Sequence, residues 1–308
     1  MRPTTFVTAL AAAALTTPVT ATPQRGLIYI PNSAHPTDDT IWTSGSSSLT
    51  WYYNYGVTPS ASLSSTSLSF IPMLWGDPNP ADTSAASAVA AFAASISAQI
   101  SAGAALTHVL AFNEPDGSSS TGGSGIAPAR AAALWQAGVK PLREKGLKVG
   151  APAVTGSPSG LVWLEKFYAA CNGGCEPDFL PLHWYGNFEG FASFLGQVGA
   201  TYPGVELWVT EFAWDHQELG ASEAFFNQST TYMDGLANIA RYAYFGSFRT
   251  DASNIGPNAA MLSSSGKLTR IGAWYLESGG EASAALPAVR PSLCWVAGLV
   301  VAVALTLA

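Results

Sequence analysis

Two stretches organise this sequence: His108-Val109-Leu110-Ala111-Phe112-Asn113-Glu114 and Glu206-Leu207-Trp208-Val209-Thr210-Glu211. Each is a short, nearly unbroken apolar run that ends in a glutamate. Runs of this length, without polar alternation, suit parallel strands covered on both faces. Six more runs of the same kind flank them: 26–30, 49–54, 68–74, 148–151, 179–184 and 241–245.

Helical patterns fill most of the gaps. In 84–102, Val89, Phe92, Ile96 and Ile100 recur at spacings of three and four, and Gly103 follows as a stop. The segment 128–145 opens on Pro128 and ends before Gly146, which predicts one helix. Helices are also predicted over 159–170, 189–199, 222–238 and 270–277. The Ser/Thr-rich segments 31–48 and 56–67 carry only weak helical patterning. Eight strands alternating with helices over about 250 residues predict an α/β fold, a single-domain (β/α)8 TIM barrel. An open doubly wound sheet is the alternative, but no G-x-G-x-x-G or Walker pattern follows any strand.

The two ends of the chain read as addresses. Residues 1–21 join Arg2, an apolar run and Val19-Thr20-Ala21, the pattern of a secretory signal peptide. Residues 279–308 join small residues, a polar spacer and an uncharged apolar tail from Leu293 to Ala308, the pattern of a GPI-anchor signal. A tail-anchored transmembrane helix is the competing reading of that tail. The expected mature catalytic domain is therefore 22–278, on the cell surface or in the cell wall, tied to the plasma membrane only through a GPI lipid. Export favours a disulfide between Cys171 and Cys175 and marks Asn227-Gln228-Ser229 as a glycosylation sequon. The net charge of −7 and the lack of a basic cluster argue against nucleic acid. No zinc pattern, Ser-His-Asp spacing or HExxH motif is present, so neither metal nor organic cofactor is expected.

In a barrel of this kind, catalytic groups sit where strands end. Glu114 ends the fourth strand and Glu211 the seventh, which places two carboxylates on one rim. Such a pair performs glycoside hydrolysis when one carboxyl donates a proton and the other attacks the anomeric carbon. Asn113, directly before Glu114, suits a bond to the sugar 2-hydroxyl, so Glu114 is assigned as acid/base and Glu211 as nucleophile. His183-Trp184-Tyr185 ends the sixth strand, and the Tyr185 phenol is expected to orient Glu211. His183 fits either a site lining or a core histidine. Trp75 and Trp214 are expected sugar platforms. Asp116 is expected to cap a turn or support the site rather than attack, His108 to be structural and Trp208 to be core.

These strand ends resemble clan A glycoside hydrolases. The chain is more specifically similar to glycoside hydrolase family 128, the fungal β-1,3-glucanases with a glycosyl hydrolase catalytic core. The matching pieces, in order, are 51–55 (WYYNY), 70–76 (FIPMLWG), 112–116 (FNEPD), 183–185 (HWY), 208–212 (WVTEF) and 241–246 (RYAYFG). The resemblance implies a retaining, endo-acting hydrolase of β-1,3-glucan in a fungal wall, with Asn54 among the substrate contacts. It departs from the family at Tyr55, where Trp is common. A monomer acting on a β-glucan polysaccharide is expected. A β-glucan transglycosylase and a non-catalytic glucan-binding wall protein are the competing readings.

Overall fold

The computed structural model describes residues 24–43 and 47–277. The predicted leader, 1–21, and the predicted GPI signal, 279–308, lie outside the described residues. The strands are β1 (Gln24–Ile28), β2 (Leu49–Tyr53), β3 (Ser69–Phe70), β4 (Met73–Leu74), β5 (His108–Asn113), β6 (Lys148–Ala153), β7 (Phe179–Tyr185), β8 (Glu206–Ala213) and β9 (Ile239–Tyr244). All pair in parallel, in the order β3-β2-β1-β9-β8-β7-β6-β5-β4. β3 and β4 are the two halves of the expected third strand, separated by Ile71 and Pro72. Proline has no N–H to give the ladder and interrupts it. The gap is bridged by Ile71 N–H donating to Tyr52 O (2.9 Å) and Leu110 N–H donating to Pro72 O (2.9 Å). The ring therefore closes through one interrupted strand, and the molecule is an eight-stranded (β/α)8 barrel.

Around it lie α1 (Ala85–Ala88), α2 (Ala90–Ser101), α3 (Pro128–Leu134), α4 (Pro158–Cys171), α5 (Phe188–Thr201), α6 (Leu219–Asp234) and α7 (Arg270–Leu276). Their starts follow local chemistry. Ser157 Oγ accepts from Gly160 N–H to cap α4, with Pro158 in the first turn. Asn187 caps α5 through Gly190 N–H, and Thr269 caps α7 through Gly272 N–H. α4 ends at Asn172 in a left-handed conformation, and Cys171 and Cys175 form the expected disulfide there.

The expected helix over 128–145 is a correction. α3 stops at Leu134, a π turn covers Trp135–Val139, and a 3-10 segment covers Lys140–Lys145. Pro141 cannot donate to an α ladder, and its ring clashes with the carbonyl four residues back, so the backbone widens ahead of it. The expected helix over 84–102 likewise breaks at Val89 into α1 and α2. Among the described residues, the weakly patterned segments 31–48 and 56–67 contain only the short 3-10 helices Pro36–Trp42 and Ala61–Leu63.

Aromatic rings fill the barrel interior. Trp208 stacks on Phe179 (4.0 Å between centroids) and lies against Trp51 (5.5 Å) and His108 (4.9 Å). The Arg241 guanidinium sits 4.4 Å over the Trp208 ring. Burial, with the charges of Arg241 and Lys148, pushes His108 down to about 4, so it packs as a neutral ring. His108 and Trp208 thus belong to the floor of the barrel. The opposite end of the barrel carries the two glutamates.

Candidate active site

The local backbone that presents Glu114 is unusual. Phe112 has φ +29° and Glu114 φ +40°, both in the left-handed region that side chains with a Cβ avoid. Such residues cost about 1–3 kcal/mol each and persist only where the surroundings fix them. Here Glu114 N–H donates to Ala153 O (2.7 Å), and Glu114 O accepts from Gly117 N–H (2.9 Å). Asn113 is tied by N–H to Trp75 O (2.7 Å) and by Nδ2 to Gly122 O (3.0 Å). Asp116 accepts from Thr155 N–H (3.0 Å), which joins the loops after β5 and β6 in the supporting role expected of it.

Glu211 is placed by a bulge. Leu182 pairs with Val209, yet His183 pairs with Glu211, so Thr210 is an extra residue in β8. Bulges re-aim side chains next to active sites. Glu211 is only 4% exposed and Glu114 9%. Tyr55 OH donates to Glu211 Oε1 (2.8 Å) and Tyr185 OH to Oε2 (2.7 Å), with Tyr53 OH at 3.5 Å from Oε1. His183, fully buried, places Nδ1 2.9 Å from Glu114 Oε1 and 3.6 Å from Glu211 Oε2. One ligating atom from each of Glu114, His183 and Glu211 lies within 4.8 Å of the others.

The electrostatics follow from burial. Desolvation pushes Glu211 above the ordinary carboxylate range; His183 pulls it down, the Glu114 charge adds to the rise, and the two phenols pull down. For His183, burial opposes the imidazolium, but the charges of Glu211 and Glu114 outweigh it and hold the ring above its ordinary value. Burial and the Glu211 charge hold Tyr53, Tyr55 and Tyr185 far above the usual phenol value, so all three stay donors.

A cavity of about 1030 Å³ opens above this cluster. Of the sequence-predicted residues, Trp75, Asn113, Glu114, Trp184, Tyr185 and Glu211 line it. Trp75 is 39% exposed there, an available ring face. Asn113 Oδ1 is buried and has no partner among the described residues. His183 lies beneath the cavity and touches both carboxylates, so it is a positioning residue and not a wall.

Two expected site residues fall elsewhere. Asn54 does not line the cavity: its Oδ1 accepts from Gly56 N–H (3.1 Å) and its Nδ2 donates to Thr58 O (3.0 Å), so it builds the turn after β2. Trp214 is half-buried and packs edge-on against Phe225 of α6 (6.2 Å), away from the lining. Tyr53 and Tyr55 were missed as Glu211 partners. Tyr55 has φ +60°, and that turn swings its phenol onto Glu211, which no spacing in the sequence reports. Asp215, directly after Trp214, takes the lining position expected of its neighbour.

Residues 26–275 match the family model described as the glycosyl hydrolase catalytic core. Alkali-sensitive linkage protein 1 of Schizosaccharomyces pombe is 34% identical over 262 residues, 82% of this chain but 44% of that protein. The chain thus spans less than half the length of that relative. Among solved structures, a family 128 subgroup IV endo-β-1,3-glucanase from Lentinula edodes is 28% identical, with TM-score 0.66, covering 81% of this chain and 97% of its own. A subgroup III curdlan-specific exo-β-1,3-glucanase from Blastomyces gilchristii, in complex with glucose, is 28% identical, with TM-score 0.63 and coverages of 82% and 97%. A subgroup VII oligosaccharide-binding protein from Cryptococcus neoformans is 26% identical, with TM-score 0.62 and coverages of 83% and 93%. With its closed barrel, its paired rim glutamates and a family match along nearly the whole described region, this chain belongs to the glycosyl hydrolase catalytic core family, glycoside hydrolase family 128.

Proposed function

We propose that this chain cleaves β-1,3-glucan with retention of configuration, with Glu114 as acid/base and Glu211 as nucleophile. The observation that carries the reading is the buried pair of carboxylates converging within 4.8 Å under an open cavity. That spacing suits direct attack: retaining pairs stand roughly 5–5.5 Å apart, whereas inverting pairs leave room for a water. In the first step Glu114 gives its proton to the glycosidic oxygen while Glu211 attacks the anomeric carbon. In the second, Glu114 takes a proton from water, which opens the glycosyl ester. Tyr55 and Tyr185 hold one Glu211 oxygen each and favour its ionised form, and His183 fixes Glu114. No metal or organic cofactor enters the scheme.

Endo action is part of the proposal; the neighbours from Lentinula edodes and Blastomyces gilchristii are named for endo and exo action respectively. We also propose that the protein works at the cell surface, delivered by the 1–21 leader and held by a GPI lipid added near residue 278. The test is product analysis on β-1,3-, β-1,4-, β-1,6- and mixed-linkage glucans, with Glu211→Gln as control. Internal oligosaccharides from β-1,3-glucan, absent in the control, are the expected result. Elongated products identify a transglycosylase. Binding without any product would refute catalysis and place the chain with oligosaccharide-binding proteins such as the Cryptococcus neoformans neighbour.

A further inference from the structure

A second cavity, of about 540 Å³, lies outside the strand ring between α4 and α5. It exists because those helices stand apart: α3 packs on α4 and α5 on α6, but α4 and α5 barely meet. Its inner end shares Gly156, Ser157 and Trp184 with the lining of the active cavity, so the two adjoin at the Trp184 indole. The floor is aromatic, with Trp184 stacked on Phe194 at 5.4 Å between centroids. Leu161 and Val162 of α4 form one wall, and Ser193 and Gln197 of α5 the other.

Trp184 is held rigidly in this position. Its Nε1 donates to Asn187 O (3.1 Å). A Cβ at Gly156 or at Gly190 would come within 2.5 Å of the indole, so backbone presses on it from two sides. A ring immobilised before binding costs little further entropy when a ligand stacks on it.

We propose that this groove is a distal subsite for the same glucan chain, which leaves the active cavity across Trp184 and lies between α4 and α5. The inference rests on the glucan reading above. Three observations select a glycan over other occupants. The groove adjoins the candidate active site at Gly156, Ser157 and Trp184. Its lining joins an aromatic floor, suited to the C–H face of a sugar ring, with amide and hydroxyl groups suited to sugar hydroxyls. Its one charged lining residue, Glu165, is acidic and the chain carries −7, so a neutral polymer fits and an anionic one does not.

The experiment measures affinity for β-1,3-gluco-oligosaccharides of increasing length by calorimetry, using the full chain with Glu211→Gln to prevent turnover. Ser193→Trp, which fills the groove, and Gln197→Ala, which removes only an amide, are added separately. The expected result is affinity that rises with length in the parent, a loss of about tenfold for long chains in Ser193→Trp, a smaller loss in Gln197→Ala, and unchanged affinity for the shortest binders. The unchanged short-chain affinity also proves the fold intact. Long-chain affinity unaltered in both variants overturns the subsite while leaving the active-site reading in place. An equal loss at every length overturns it too. A parent that binds no β-1,3-glucan of any length overturns the glucan reading itself, and the subsite with it.

Discussion

Tyr185→Phe removes one oxygen atom from the site and leaves the ring in place. That oxygen donates to Glu211 Oε2 at 2.7 Å. A hydrogen bond to an ionised group contributes about 1.5–3 kcal/mol, and each pKa unit corresponds to about 1.36 kcal/mol. The donor favours the charged carboxylate, so its loss raises the Glu211 pKa further, on top of the rise that burial already imposes. The nucleophile must be ionised to attack. The acid limb of kcat/KM for β-1,3-gluco-oligosaccharides therefore moves toward neutral pH. At a fixed pH below the acid limbs of both proteins, the loss of about 1.5–3 kcal/mol lowers activity about 10- to 100-fold. The shift is read from the pH profile of reducing-end release, with urea unfolding as the control for stability. Tyr55→Phe, which removes the 2.8 Å bond to Oε1, moves the limb the same way. A variant of normal stability whose acid limb stays where it was refutes the argument that the phenols tune Glu211.

Three other perturbations probe separate parts of the molecule. His183→Asn keeps a donor toward Glu114 but removes the positive charge that pulls the Glu211 pKa down, so the acid limb rises and His183→Ala, lacking the donor as well, loses more turnover; equal profiles in both variants would show that only packing matters. His108, folded value about 4 against 6.5 for the free side chain, is neutral in the native state, so its contribution is complete above 6.5 and is lost as pH falls from 6.5 to 4. The 2.5-unit difference amounts to about 3 kcal/mol, and His108→Phe should reduce the loss of urea stability between pH 7 and pH 4 by about that amount. Gly190→Ala and Gly196→Ala lie on the same helix but should shift the melting temperature in opposite directions. A Cβ at 190 meets Trp184 at 2.5 Å and costs about 1–3 kcal/mol, whereas a Cβ at 196 meets nothing within 4 Å and gains up to about 1 kcal/mol.

Much of the barrel was legible because its strands are covered on both faces. Runs such as 108–114 and 206–211 contain little that water could solvate, and punctuation by Pro and Gly marked most helix ends. The helix over 128–145 failed because the Pro141 signal sits inside an otherwise periodic stretch, and the backbone absorbs it as a π turn instead of stopping there. Asn54 falls outside the cavity lining for a different reason. An Asn two residues before a Gly suits a turn-building bond as well as it suits a ligand bond, and residue type alone does not choose. Trp214 and Asp215 are adjacent in sequence, and the turn after β8 gives the cavity to the carboxylate and the helix to the indole.

The placement of Glu211 carries the deepest lesson, because simple alternation points it the wrong way. Trp208 faces the barrel interior, against Trp51, His108 and Arg241 from other strands. With a period of two, residues 210 and 212 would follow it inward and Glu211 would face the helices. Instead Phe212 packs outward on Phe191 and Phe225, from α5 and α6, and Glu211 faces inward. The parity reverses because Thr210 is the extra residue of the bulge, opposed by no residue of β7. On β5 the same rule is broken by other means. Asn113 and Glu114 are consecutive, yet both line the cavity, because the positive φ values at 112 and 114 turn the chain between them. Unbroken alternation would turn Glu211 toward the helices and would separate the consecutive Asn113 and Glu114 onto opposite faces. The irregularities sit where the chemistry needs convergence, and their cost of about 1–3 kcal/mol at each left-handed residue is offset by the rigid ring that surrounds them.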